Sequence, residues 1–303
     1  TLFGNTNMEA QHLSNTTTKQ VIDSTRAFRE LVAVRRNLQK LGGSMYWKPS
    51  GHYVYLAQRS YHDSQKVVHL GLRSAETERI FEEFEAERAK LQQREKALSE
   101  RIAIYERMNK AVRAGTASTQ VIEAINLLEG LGISDDSRWL GTPALHAYWQ
   151  STGYEPPKVL KEREEVGYFL VFVMHKLEAQ TILKLKRSKA VTHYAVSSEH
   201  SSVLIIKSAK ESRDEEKQAL QRTHDALVAY LQKTARQFLD VLSEELSQTP
   251  AFEQVVISKT GKMGLMKTVE PHCLGAFNTL LGVDTIDQGA LSDLLSISRF
   301  QHK

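Results

Sequence analysis

Cys273 follows His272 directly, the one place in the chain where a thiol and an imidazole adjoin. Such a pair is a nucleophile when the two side chains converge. Sequence neighbours seldom do, so the spacing fits a structural cysteine. With one cysteine, neither an internal disulfide nor a cysteine zinc site can form. Two basic clusters stand out: Arg35, Arg36 and Lys40, and Lys184, Lys186, Arg187 and Lys189. Both suit a nucleic-acid backbone, and both also fit ordinary helix-end charge. Tyr46, Trp47, Tyr53 and Tyr55 sit beside Lys48 and Arg59, an arrangement that stacks on bases or packs a small sheet onto a helix. His146, His193 and His200 are scattered, without metal-ligand spacing. Asp284 and Asp287 read as a helix N-cap region, with a metal role as the lesser alternative. No phosphate-binding Gly-x-x-x-x-Gly-Lys loop and no Gly-x-Ser-x-Gly elbow occurs.

The elements that must position these residues follow from periodicity. Val21, Ala27, Phe28, Leu31, Val32, Val34, Leu38 and Leu41 recur at helical spacing and predict a helix over 17–41, stopped by Gly42-Gly43. Residues 1–16 read as poorly ordered. Runs at 44–48, 52–57 and 67–71 are aromatic and β-branched with turn residues between them, which predicts a three-stranded antiparallel meander. Ser74 caps a long charged helix to about Ala114, with Arg88 and Glu95 interrupting its apolar face. A short helix over 119–130 is capped by Thr116 or Ser118. Gly141-Thr142 turns into a further helix. Beyond it the pattern gives a buried strand at 166–174, a basic helix at 175–189, and strands at 191–196 and 202–207. A long helix over 211–247, a hairpin with strands at 255–257 and 265–269, and a helical C-terminus at 272–300 complete the chain.

At 303 residues, 41% hydrophobic and 25% charged, the chain can bury two cores. The net charge of +4 permits a polyanionic partner such as RNA or DNA without requiring one. No run reaches the ~18 apolar residues that span a bilayer, and residues 1–16 lack a secretory pattern. A cytoplasmic protein with no membrane partner is expected.

Gly43-Ser44-Met45-Tyr46-Trp47-Lys48, Tyr53-Val54-Tyr55-Leu56 and Lys66 to Glu78 resemble the start of a bacterial nucleotidyltransferase-like family. There a Gly-Ser-aromatic hairpin precedes a Gly-x-Arg-Ser-x-Glu-Thr-Glu helix start, a long charged helix and a short helical unit. A Gly-Thr-x-Ala-Leu-x-Ala-Tyr motif follows, matched here by Gly141 to Tyr148. The resemblance covers roughly residues 25–150. It implies an α+β protein: an accessory domain over 1–134, with the antiparallel sheet and long helices, then a nucleotidyltransferase-like mixed α/β domain over 135–303. It further implies Mg²⁺-dependent nucleotidyl transfer from an NTP to a hydroxyl on RNA, protein or a small molecule. Gly141 and Thr142 would hold phosphate oxygens, with Lys176 and Lys184 offsetting their charge. The family's Asp-x-Asp is replaced by Glu162-Arg163-Glu164, which are the catalytic and metal candidates or a solvated charge run. The alternative is a non-catalytic factor that binds nucleic acid or a partner chain through the sheet module and long helices. Arg35, Arg36, Lys48, Lys186, Arg187 and Lys189 would then meet nucleic acid, and the long helices a partner or a second copy.

Overall fold

The computed structural model describes residues 11–59, 66–162, 168–187, 192–197, 201–207, 244–274, 292 and 294–296. Glu164, Lys189, Asp284, Asp287, His200, nearly all of the helix expected over 211–247 and most of 272–300 lie outside these residues, as do residues 1–10. The fold is α+β. Among the described residues, no helix is long and apolar enough to cross a membrane. Two compact units divide the chain: Ile22–Tyr105, and a discontinuous unit of Thr1–Val21 with Glu106–Lys303.

The first of these holds most of α1 (Asn15–Leu41), the meander β1 (Ser44–Ser50), β2 (Tyr53–Arg59) and β3 (Val67–Leu72), and most of α2 (Ala75–Ala111). The strands pair in chain order, antiparallel throughout. Alternation puts Met45 and Leu56 on the face that meets Phe84 of α2. Trp47 joins them, its ring 5.6 Å from Phe81, while Arg73 lies 5.1 Å over its other part. Tyr46 lies under Arg59, at 5.5 Å. Tyr55 meets His69 edge-on at 6.0 Å, so three of the four aromatics have partners within the module, while Tyr53 is exposed. Ser74 caps α2 as expected, accepting a hydrogen bond from the Thr77 amide. Glu95, which breaks α2's apolar stripe, accepts a hydrogen bond from Arg35 of α1 at 3.0 Å, and Glu30 of α1 pairs with Arg94.

In the discontinuous unit the sheet order is β6-β7-β5-β4-β9-β8, six strands whose one parallel pairing joins β4 to β9. These are β4 (Ser137–Leu140), β5 (Tyr168–Val173), β6 (Thr192–Ser197), β7 (Ser202–Lys207), β8 (Ala251–Ile257) and β9 (Met263–Val269). Side chains alternate between its faces, giving a core on each. On one face Leu140, Leu170 and Phe172 meet α4 (Thr142–Thr152) and α5 (Lys158–Glu162). On the other Trp139, Val171, Val173, Leu204 and Met266 meet α3 (Thr119–Gly130) and α6 (Ala179–Arg187). Ser118 caps α3, accepting from the Val121 amide at 3.3 Å. Val121, Ile122, Ile125 and Leu128 are fully buried, each worth about 1.5–3 kcal/mol in transfer from water. That burial ties α3 to the sheet. The division expected at residue 134 therefore falls inside this unit.

Residues 11–16 differ from the disorder expected of them. His12 bridges and stacks on Tyr154, the Leu13 amide donates to the Gly153 carbonyl at 3.0 Å, and the Ser14 hydroxyl caps α1. Their polar composition hid this, because the partners lie about 140 residues on.

Candidate functional site

Strand register gathers one end of the six-stranded sheet into a site. β4 runs from Ser137 to Leu140 and turns at Gly141 into α4. β5 runs the other way, with Leu170 opposite Leu140, so its first residue, Tyr168, lies just past the end of β4. β9 runs with β4 and sets Thr268 against Trp139, which brings Glu270 level with Gly141 on the other side. The carboxyl ends of parallel strands, where the chain reverses direction across the sheet, are where open α/β sheets hold ligands.

Gly141 is the N-cap of α4, with φ 81° and ψ −163°. A side chain would be strained there, so the glycine is a conformational requirement. It brings no side chain to cap the helix. Pro143 in the first turn has no N–H to offer, and the Ala144 amide donates back to the Gly141 carbonyl at 3.1 Å. Thr142 is half-buried at the mouth of this turn. The positive end of the helix dipole favours an anion here.

The rest of the Gly141–Tyr148 motif packs. Residues 143–149 are all buried. The Tyr148 hydroxyl donates to the Val269 carbonyl, lies 3.1 Å from the Thr268 hydroxyl, and its ring meets Phe252 edge-on at 5.0 Å. Burial holds its phenol far above the ordinary range, so it stays protonated and clamps α4 onto β9. His146 is buried too, its Nδ1 2.8 Å from the Thr116 hydroxyl.

The other predicted residues spread out. Glu162 closes α5 before the connection that leads into β5. β5 itself, Tyr168–Val173, carries no carboxylate. Lys176 lies beyond Val173, at the end of the sheet opposite Gly141, where the Met174 amide donates to the Asp136 carbonyl and His175 lies 3.4 Å from Asp136. Lys184, Lys186 and Arg187 share α6, with Lys184 and Arg187 exposed. Lys48 is exposed on β1 and Arg36 lies on α1, whereas Arg35 is engaged by Glu95. Cys273 is partly buried behind Glu270, and burial, aided by that carboxylate, pushes its thiol pKa up. A thiol held protonated is a poor nucleophile, in keeping with a structural cysteine.

Sequence reasoning missed Glu270 as a site residue. Its signal was its place directly after the apolar run ending at Val269. What was missing was the pairing of β9 with β4, set by contacts about 130 residues apart. Among the described residues no three His, Cys, Asp or Glu side chains gather as a metal site. They do not by themselves build the Mg²⁺ centre that the resemblance implies. No protein-family model matches this chain, and no curated protein or solved structure is detectably similar to it.

Proposed function

We propose that the chain is a nucleotidyltransferase-fold protein that takes a nucleoside triphosphate at the Gly141–Thr142 turn, for Mg²⁺-dependent transfer of a nucleotidyl group to a hydroxyl acceptor. The observation that carries this reading is the register of β4, β5 and β9. It sets a glycine-led helix N-terminus level with Glu270 on one side and with the start of β5 on the other. A glycine-led helix start beside a carboxylate suits the binding of a phosphate together with a divalent cation.

Thermal unfolding of the full chain with each of the four Mg·NTPs tests it. A ligand at a thousand times its Kd adds about 4 kcal/mol. One NTP is expected to raise the melting temperature in a Mg²⁺-dependent way, and Thr142→Val to weaken that ligand about tenfold, the effect of one hydrogen bond to a charged group. No shift with any NTP overturns the reading.

A non-catalytic nucleic-acid-binding or assembly role is favoured by one feature, the carboxylate-free β5. RNA or DNA binding that weakens steeply with salt, in a protein indifferent to NTPs, would select that role.

A further inference from the structure

α2 ends in a turn that glycine normally closes. The Ala114 amide donates to the Asn109 carbonyl at 2.9 Å and the Arg113 amide to the Lys110 carbonyl at 3.2 Å, the paired bonds of a Schellman motif. The motif needs a left-handed residue, and Arg113 fills that place with φ 51°. Among the described residues it alone is a non-glycine with positive φ. A Cβ in this region costs stability, which draws attention to what the Arg113 side chain does.

Arg113 lines a cleft of about 600 Å³ within the discontinuous unit, in the size range of small-ligand sites. Two more cations line it, Lys161 from α5 and Lys259 from the β8–β9 turn. The one carboxylate in the lining, Glu155, is ion-paired with Lys161. Ser14 and Thr17 bring the start of α1 to the cleft, and α1 has no acidic residue in its first turn to offset its positive end. Part of the wall is apolar and aromatic: Trp149, Tyr154 and Pro156. Tyr154 is fixed by stacking on His12, with 4.1 Å between ring centroids. The cleft takes the C-terminal end of α4 and the residues after it, roughly 16 Å along the helix from Gly141.

We infer that this cleft binds a small organic phosphate, its phosphate held by Arg113, Lys161 and Lys259 and its carrier resting against the Trp149–Pro156 wall. An arginine fork suits two phosphate oxygens at once, which explains a guanidinium at a strained position.

Isothermal titration of the full chain with AMP and with ribose 5-phosphate, without Mg²⁺ and at low and high salt, tests this. At least one is expected to bind, more weakly at high salt. Arg113→Gly is expected to raise Kd about tenfold or more while melting no lower than wild type, because glycine removes the strain. Lys259→Gln is expected to raise Kd similarly from an unstrained position. Binding of AMP alone assigns the wall an aromatic carrier, and binding of both makes the phosphate the main determinant. The inference falls if neither compound binds, or if both variants bind as wild type does. These titrations contain no Mg²⁺ and read Arg113 and Lys259, so their outcome is separate from that of the NTP experiment.

Discussion

Glu106, in the last turns of α2, has a carboxyl pKa pushed up by burial, against the opposing pull of Lys262. The sign is fixed by proton binding. The folded state holds this proton more tightly than the unfolded state, so stability falls as pH rises from the ordinary carboxylate range through the raised value. Glu106→Gln is therefore expected to melt higher than wild type at neutral pH, and the gain should vanish on acidification below the ordinary carboxylate range. Melting curves across pH measure it, and a gain independent of pH would refute the burial argument. Single residues of this kind were illegible in the sequence. Glu106 reads there as one more charge on a solvated helix, and Arg113 as one more arginine before Gly115. Their meaning comes from backbone angle and neighbours, which no local spacing encodes.

The β8–β9 turn depends on one glycine. Gly261 has φ +87°, and a Cβ there would lie 2.0 Å from the Glu106 carbonyl oxygen and 2.9 Å from the Lys110 amide nitrogen. Both are backbone atoms of α2 and cannot rotate aside. The Gly261 carbonyl in turn accepts from the Asn109 side chain at 3.3 Å. Gly261→Ala is expected to cost on the order of 3 kcal/mol in urea unfolding, from strain and displacement together. Elements whose signal is local were legible: the meander by its aromatic and β-branched runs with turn residues between them, α2 and α3 by their caps and apolar stripes, β5 as a continuous apolar run in the middle of the sheet. The order of the six strands was not, because β4–β9 pairing and the docking of α3 join residues far apart in the chain. The Gly141–Tyr148 motif was found, but most of it proved to be packing, since buried alanines and a clamped tyrosine look the same in a sequence whether or not they border a ligand.

At the scale of the whole molecule, the discontinuous unit draws its first residues from the start of the chain. Gln20, buried, donates to Asn109 Oδ1 at 2.9 Å, and Leu13 reaches Gly153. A fragment beginning at residue 106 leaves that buried acceptor without its donor, at about 1–3 kcal/mol, and removes a wall of the phosphate cleft. It is expected to melt below the full chain by circular dichroism and to lose whichever of AMP and ribose 5-phosphate the full chain binds. Equal melting temperatures would show that residues 11–21 add nothing to the unit.

The same interruption has a consequence during synthesis. Residues 11–21 leave the ribosome before their partners, and those that meet Gly153 and Tyr154 must wait while residues 22–153 are made. At ~5–20 residues per second that delay is on the order of 7–26 s. Residues 11–21 are thus open to chaperones or proteases throughout that interval, although they end as part of a folded core.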